Sequence, residues 1–598
     1  MYTTCGYEFT YLRNVLNFKS VFARKSRKVM KAILEDYNIE FRCSLYLSQV
    51  KLERLPSVYQ LDCQKQVGLL DYNLPRSPIT ELSENELKYC EYDCLVLYEY
   101  IKLMKGKFGT VKSIPLTSTG IVRRELKEEL AKDKKYKYVV RNCLNTEGEI
   151  YDVLVSSFYG GYTHANFLYT GDIIKNVTSY DFCSSYPFVL CTEKYPMSRF
   201  RKCKIDNHTQ FSSRFCYIVD ITFYNIDSKY FNNIISKSSC YSGDKIQTDN
   251  GRIIKAKEIS TIITDIDFEL IRKAYKYDYY IINECYYTRK DYLPKTIVDF
   301  ILKKYVDKTK LKNVEGKEVL YQITKGSFNA IYGMCCTNNI RDQVNFDNTT
   351  GWSEEDLSPT QIEKLLIKEK MFPFLSFAWG SFCTAYARRN LIENLLKLDE
   401  YCLYTDTDSL KLREGYDKSI IDEYNKKVIE KIKKVCQDRG ISFESFSPKD
   451  IKGREHTLGL FENETEKGRT FTYDEFITQG AKKYAYKIDD KIHITVSGIP
   501  KSGAKALKSL EEFTDNFIFK FEDTGKNMIL YNDNQIEYYF RDYQGNFYKA
   551  SYQYGSCILP TTYELGKSQD YQNLLSDESS KRAIYRKRRN IWTEKTWL

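Results

Sequence analysis

Residues 401–412 read YCLYTDTDSLKL, and few folds can accommodate such a stretch. The pattern predicts strand, acidic turn, strand over Glu400 to Lys411. Leu403, Tyr404 and Leu410 are apolar, so the base of that hairpin belongs in a core. Asp406 and Asp408 then stand at the mouth of the core, where a carboxylate is expensive to desolvate. Two apart in an extended segment, they share a face and repel, and each raises the other's pKa unless a cation lies between them. Mg²⁺ suits such a pair, because it prefers hard oxygen ligands and leaves room for substrate phosphates. Taken alone, the segment also reads as a solvent-exposed acidic hairpin tip.

Composition narrows the chemistry. Only 4 of 598 residues are His, and His164, His208, His456 and His493 are widely scattered. A His-based metal cluster or triad is therefore disfavoured, and carboxylates, lysines and some of the 52 tyrosines become the candidates. The net charge of +11, from 91 Lys and Arg against 80 Asp and Glu, fits a phosphate-rich partner without requiring one. The 18 cysteines show no paired CxxC spacing, as expected for free thiols in a reducing cytosol. Met371 to Ala387 is apolar but too short and too polar to span a membrane, and reads as a buried helix. The densest basic run, Lys581 to Lys595, reads as a solvated tail.

Further segments carry chemistry. Asp181 in VTSYDFCSSYP follows a strand-prone run and precedes a turn. If it meets Asp406 and Asp408 in space, three carboxylates converge in a set able to hold two metals for phosphoryl displacement. Glu318 to Tyr332 predicts a helix closed by Gly333 as C-cap. Lys325, Asn329 and Tyr332 share one face of it, with Lys310 and Lys312 upstream. Lysines there suit a triphosphate and Tyr332 a flat base or sugar; an ordinary amphipathic surface helix is the alternative. Asn250-Gly251 predicts a tight hairpin turn. Glu84 to Met104 has helical periodicity. The whole reads as α+β.

In order, the chain carries FYGG (Phe158, Gly160, Gly161), DxxSxYP (Asp181, Ser184, Ser185, Tyr186, Pro187), KxxxNxxYG (Lys325, Asn329, Tyr332, Gly333), YxDTDS (Tyr404 to Ser409) and KxY (Lys482, Tyr484). This ordered set resembles the family B DNA polymerases, and within them the protein-primed enzymes of linear-genome bacteriophages. The resemblance implies a right hand of palm, fingers and thumb, with two protein-priming insertions and a partial ribonuclease-H-like exonuclease domain. It implies DNA-directed DNA synthesis from dNTPs with two Mg²⁺, which Mn²⁺ can replace. Asp181 and Asp408 would bind the metals, with Asp406 in support. Tyr186 and Ser185 would meet the nucleotide sugar, Lys325 and Lys312 the triphosphate, and Asn329 and Tyr332 the nascent pair. Lys482 and Tyr484 would hold the primer, and Phe158, Gly160 and Gly161 the template. The implied partners are primer-template DNA, dNTPs and a terminal protein that primes a phage or linear-plasmid genome. The enzyme would act as a monomer in the cytoplasm of a bacterial host, away from membranes.

The implied layout is exonuclease 1–113, palm 114–198 and 372–497, first insertion 199–294, fingers 295–334, second insertion 335–371, thumb 498–556 and basic tail 557–598. The separation of 138 positions from Pro187 to Lys325 exceeds what a crossing from palm to fingers needs. TDIDFELI (Thr264 to Ile271) resembles the end of the first insertion, and Cys335 to Lys370 reads as polar and loop-like. Such enzymes carry three acidic exonuclease motifs. Here YxxxD survives as Tyr89 and Asp93, the second is reduced to Tyr7-Glu8, and no DxE precedes them. The expectation is an N-terminally truncated exonuclease with proofreading lost or impaired. Two other readings compete. One is a degenerate polymerase that only binds DNA. The other is a haloacid-dehalogenase-type phosphatase, whose DxDx(S/T) normally lies near the N-terminus. A reverse transcriptase would show paired aspartates rather than DTD.

Overall fold

A computed structural model of the chain describes residues 2–577, except 4–7, 10–11, 14–15, 26–27, 38, 67, 71–80, 144–147, 338–339, 341–342, 372–373, 526, 533–535, 542–546 and 553–554. The helix Phe377–Leu398 runs through the middle and is buried along most of its length. The sequence places a buried helix here, but it starts six residues later than Met371 and runs on to Leu398. Its polar residues are satisfied locally: Thr384 donates to the Ser381 carbonyl at 2.9 Å and Ser381 to the Leu154 carbonyl at 3.4 Å. Gly380 permits a close approach, since a Cβ there would lie 3.1 Å from the Cys335 backbone. Arg388 and Arg389, which close the apolar run, are ion-paired with Asp267 and Glu193. Removing one partner of such a buried pair costs about 3–5 kcal/mol.

Leu391, Leu395 and Leu398 of this helix pack against an eight-stranded sheet, in one core with Tyr180, Cys402, Leu410 and Leu412. Burying each such leucine is worth about 1.5–3 kcal/mol. The strand order is Lys491–Val496, Lys483–Ile488, Tyr473–Gly480, Ile174–Phe182, Ser409–Leu412, Cys402–Asp406, Thr163–Ala165, with Phe461–Asn463 also pairing Ile174–Phe182. The register sets Asp181 opposite Ser409 on one side and Glu462 on the other.

A second eight-stranded sheet lies between residues 194 and 292, built on Phe215–Ser228, Arg252–Thr264 and Tyr279–Tyr292. Within it, Asn250 (φ 47°) and Gly251 (φ 78°) make the tight turn the sequence predicts. The helix Asp265–Ala274 is capped by the Thr264 side chain and carries Asp267 to Arg388. The sheet is also tied to the first sheet by the Asp399 carboxylate, just before the strand Cys402–Asp406, which accepts from the Phe231 and Asn232 backbone N–H groups.

Two helices, Lys295–Lys310 and Glu318–Cys335, pack together with Tyr305 and Phe328 rings 5.6 Å apart. Gly333 is not a C-cap: the helix continues through it to Cys335, because Met334 and Cys335 are buried in the same core. The N-terminal part forms a four-stranded sheet and the helix Glu84–Phe108, which opens with a Ser83–Glu86 capping box.

Two expectations change. Residues 335–371 are not simply loop: Gln343–Asp347 and Gly351–Glu355 form a hairpin, followed by the helix Pro359–Met371. Phe346 and Trp352 of that hairpin pack on Phe9 of the N-terminal core, which gives the segment the apolar anchor a polar loop lacks. The boundary set at 556 falls inside the strand Gly555–Pro560, which pairs with Asn527–Asn532. Tyr563–Glu564 then pairs with Ile518–Phe519, and Leu565 and Tyr571 are buried, so the chain stays folded beyond 557. The basic run from Lys581 to Lys595 lies outside the described residues. No helix among the described residues is long and apolar enough to cross a membrane.

Candidate active site

The strand–turn–strand at the DTD is tighter than a period-2 segment. Asp406 pairs with Ser409, leaving Thr407 and Asp408 as a two-residue turn with Thr407 left-handed at φ 58°. Asp408 therefore reaches the site from the turn and not from an extended strand. The turn is pinned from both sides. The Phe182 N–H donates to the Asp408 carbonyl at 2.8 Å, and the Thr407 N–H to the Tyr162 carbonyl at 2.6 Å. Gly161 owes its lack of a side chain to this turn, since a Cβ there would lie 2.7 Å from the Thr407 side chain. Gly160 faces open space and stays accessible. Arg388 holds the loop from behind, donating to the Tyr159 carbonyl and, at 2.9 Å, to the Gly160 carbonyl. Phe158 packs on Phe377 with ring centroids 5.6 Å apart.

Asp181 and Asp408 come together here. Burial, then the Asp408 charge, pushes the Asp181 carboxyl up to about 8, against the pull of Lys411 and Lys325. Burial, then the Asp406 charge, pushes Asp408 up to about 6, with the same two lysines opposing. Asp406 is differently placed. Lys482 donates to both its oxygens, at 2.6 and 2.5 Å, and Thr163 and Thr407 hydroxyls donate at 3.0 and 3.1 Å. The three acids thus neighbour one another through Asp408, but Asp406 is bonded to Lys482, which leaves Asp181 and Asp408 as the pair without a bonded ammonium. Among the described residues no three His, Cys, Asp or Glu side chains close on a point suited to a metal ion. Asp406 is engaged instead by Lys482, left-handed at φ 61° after the Tyr473–Gly480 strand. Two partly buried hard-oxygen ligands in mutual repulsion still fit divalent cations, which would relieve both raised pKa values.

The lysine-rich helices close over this pair. Lys325 and Asn329 are exposed on one face of Glu318–Cys335. Tyr332 is stacked on Tyr186, with ring centroids 4.0 Å apart and planes 11° from parallel. Ser185 is buried at the start of the helix Ser185–Thr192. Lys312 sits against His456, Nζ to Nδ1 at 3.1 Å. Tyr484 is packed into the core under Tyr404, 4.8 Å between rings.

Several residues escaped the sequence reading. Lys308 is buried, donates to the Ser184 hydroxyl at 2.9 Å, and has its pKa lowered by burial and by Lys325 and Lys312, with Cys183 opposing. Helical phase could have found it, three residues after the buried Tyr305. Lys411 is buried and donates to Ser179 at 2.5 Å and Glu464 at 3.3 Å. Its signal was a lysine inside an apolar strand. In the N-terminal region, Lys65 donates to both Asp93 oxygens, at 2.7 and 2.9 Å, and to the Tyr89 hydroxyl at 2.8 Å. Nothing places Glu8 beside them; its Oε2 is buried without a hydrogen-bond partner among the described residues. Tyr7 lies outside the described residues.

An antiparallel palm sheet carrying a partly buried acid pair under two lysine-bearing helices defines a nucleotidyl-transferring polymerase. The family model for DNA polymerase type B, organellar and viral, matches residues 70–427, more than half of the chain, and the chain belongs to that family. It is a DNA-directed DNA polymerase. Among solved structures, phi29 DNA polymerase in ternary complex with primer-template DNA and incoming nucleotide is 15% identical. The match covers 94% of this chain and 90% of that one, with a TM-score of 0.66. The phi29 polymerase binary complex with primer-template DNA gives 14%, 94%, 90% and 0.65. These likenesses identify the fold as that of a right-hand polymerase with an exonuclease domain. No curated protein matches the chain.

Proposed function

We propose that this polymerase replicates a phage or linear-plasmid genome from a protein primer, using two divalent cations, Mg²⁺ by preference, at Asp181 and Asp408. The observation that carries the metal assignment is the juxtaposition of two partly buried acids, Asp181 on its strand and Asp408 in the turn of the adjoining hairpin, each raised by a neighbouring carboxylate. The cations, when bound, would supply charge neutralisation and activation of the primer hydroxyl. The protein supplies positioning. Lys325, Lys308 and Lys312 would bind the triphosphate. Tyr186, stacked on Tyr332, would form the floor beneath the sugar, with Ser185 buried beside it. Asn329 would border the nascent pair. Lys482 would leave Asp406 for the primer strand, with Tyr484 bracing the hairpin beneath. Phe158, Gly160 and Gly161 would admit the template backbone. Positioning and charge are most of what phosphoryl transfer asks of a protein.

The second sheet and the hairpin after the fingers would serve as the two priming insertions, with Asp93, Tyr89 and Lys65 in the exonuclease region. What supports protein priming is the fold shared with phi29 polymerase over 94% of the chain together with these two insertions. The test incubates the chain with labelled dNTP, a linear template and Mg²⁺, with and without the terminal protein of the same genome. Label joined covalently to that protein, and lost in Asp408→Ala, is the expected result. Extension of DNA primers alone, with no labelled protein, would reduce the reading to ordinary primer-dependent synthesis.

A further inference from the structure

His456 is one of only 4 histidines in the chain and is largely buried at the junction of palm and fingers. Its Nε2 faces Asp450 Oδ2 at 3.1 Å, and its Nδ1 faces both Lys312 Nζ at 3.1 Å and Glu462 Oε1 at 3.5 Å. The backbone is fixed as well, since the Tyr305 hydroxyl donates to the His456 carbonyl at 2.8 Å. An ammonium can only donate, so Lys312 bonds Nδ1 when the ring is neutral and carries its proton on Nε2, toward Asp450. A protonated ring would instead donate from Nδ1 to Glu462 and repel Lys312. The same nitrogen cannot serve both partners.

We propose that His456 is a positioning residue for the nucleotide, holding Lys312 on its neutral ring until the triphosphate draws that lysine away and the ring takes up a proton from water. Lys312 moves to the phosphates, Nδ1 gains the proton, and Nδ1–H turns to Glu462. Nucleotide binding is thereby linked to proton uptake, so affinity falls as pH rises through the titration of the ring. Bonds to Glu462 and Asp450 raise the His456 pKa, against burial and the nearby Lys312 charge, so departure of Lys312 raises it further and the ring charges. Glu462 is held below its ordinary value by His456 and Lys312, which outweigh burial. The other charged groups on the adjoining chain, Lys449, Glu455 and Arg454, are exposed, and Lys449 pairs with Glu455 at 3.4 Å.

This inference rests on reading Lys312 as a triphosphate ligand, and the experiment separates the two. Single-nucleotide primer extension gives KM and kcat for dNTP between about pH 6 and pH 8.5, with Mg²⁺ and a fixed primer-template. In the intact chain KM should rise about fivefold or more across the range. His456→Asn keeps an acceptor for Lys312 but cannot titrate, so its KM should be flat while its kcat profile follows that of the intact chain. Lys312→Met should give a high, flat KM. Equal KM slopes in the intact chain and His456→Asn overturn the inference alone. An unchanged KM in Lys312→Met overturns it together with the reading of Lys312. If His456→Asn fails to bind primer-template, Glu462→Gln replaces it, and an undiminished KM slope there is likewise fatal.

Discussion

Asp181 and Asp93 are both half-buried acids with a lysine and a tyrosine nearby, yet their surroundings differ in kind. Asp93 is already neutralised: Lys65 spans both its oxygens and the Tyr89 hydroxyl, and that contact raises the Lys65 pKa against the effect of burial. Asp181 faces another acid, with Lys411 and Lys325 acting on it only from a distance, and its carboxyl rises to about 8. A carboxylate with a bonded ammonium gains little from a metal. A pair of partly buried acids without one is unstable as charged groups until a cation arrives. The two sites thus differ in whether the protein itself supplies the counter-charge, as Lys65 does for Asp93.

The sharpest way to break this contrast is to remove an acid from each site. Asp408→Ala should lower primer extension on the order of a thousandfold, as for loss of a group that acts on developing charge. Primer-template binding by gel shift should persist. Retention of a tenth of the activity would remove Asp408 from the metal site.

Next in size is the lysine cover. Lys308→Met should raise KM for dNTP by about ten- to a hundredfold, because a charge-assisted bond of about 1.5–3 kcal/mol is lost. Lys310→Met should leave KM unchanged, since Lys310 is exposed at the end of its helix. The reverse ranking would show that the buried lysine is structural and the solvent-facing one binds phosphate.

The contrast between these two lysines also shows what was legible in the chain. Motif order gave the acids, the FYGG loop and the Lys325 face, because each is a short local pattern. Lys308 was passed over for Lys310 and Lys312, since nothing local tells which lysine a packed pair of helices will enclose. The turn at Thr407 was misjudged for a related reason: alternation in TDTDS suggests an extended run, whereas pairing of Asp406 with Ser409 forces a two-residue turn. The N-terminal anchor of the hairpin at residues 343–355 depends on Phe9 meeting Trp352, a contact across more than half of the chain that no local window contains. His456 was discounted because histidines were few, although its neighbours come from three separate segments.

A smaller effect is expected from pH and metal together. The raised folded-state pKa of Asp181, about 8 against 3.8 for a free carboxyl, means that the metal-free fold holds a proton the unfolded chain releases. Stability of the metal-free fold therefore falls as pH climbs from about 4 to about 8, the reverse of the usual carboxylate case. Cation binding to the pair offsets that loss. The rise in Tm on adding Mg²⁺ should be larger at pH 8 than at pH 6, and Asp181→Asn should flatten the difference. A Mg²⁺ effect independent of pH, or unchanged in Asp181→Asn, would place the metal elsewhere.

The smallest effect should come from the N-terminal site. Asp93 lies on the helix Glu84–Phe108, in a core apart from the palm, and its charge is matched by Lys65. Asp93→Ala should therefore change primer extension by less than about twofold, within the range of ordinary surface substitutions. Digestion of a mismatched 3′ end in Mg²⁺ should be slow in the intact chain and no slower in the variant. Lys65→Met is the more informative partner. It leaves Asp93 without its counter-charge, so Asp93 becomes electrostatically like Asp181. If the lone acid then supports no digestion either, a single carboxylate is insufficient whatever its charge state. If digestion matched extension in rate in the intact chain and vanished in Asp93→Ala, the contrast drawn between the two sites would fail, because a lysine-paired acid would be recruiting metal as effectively as the unpaired pair.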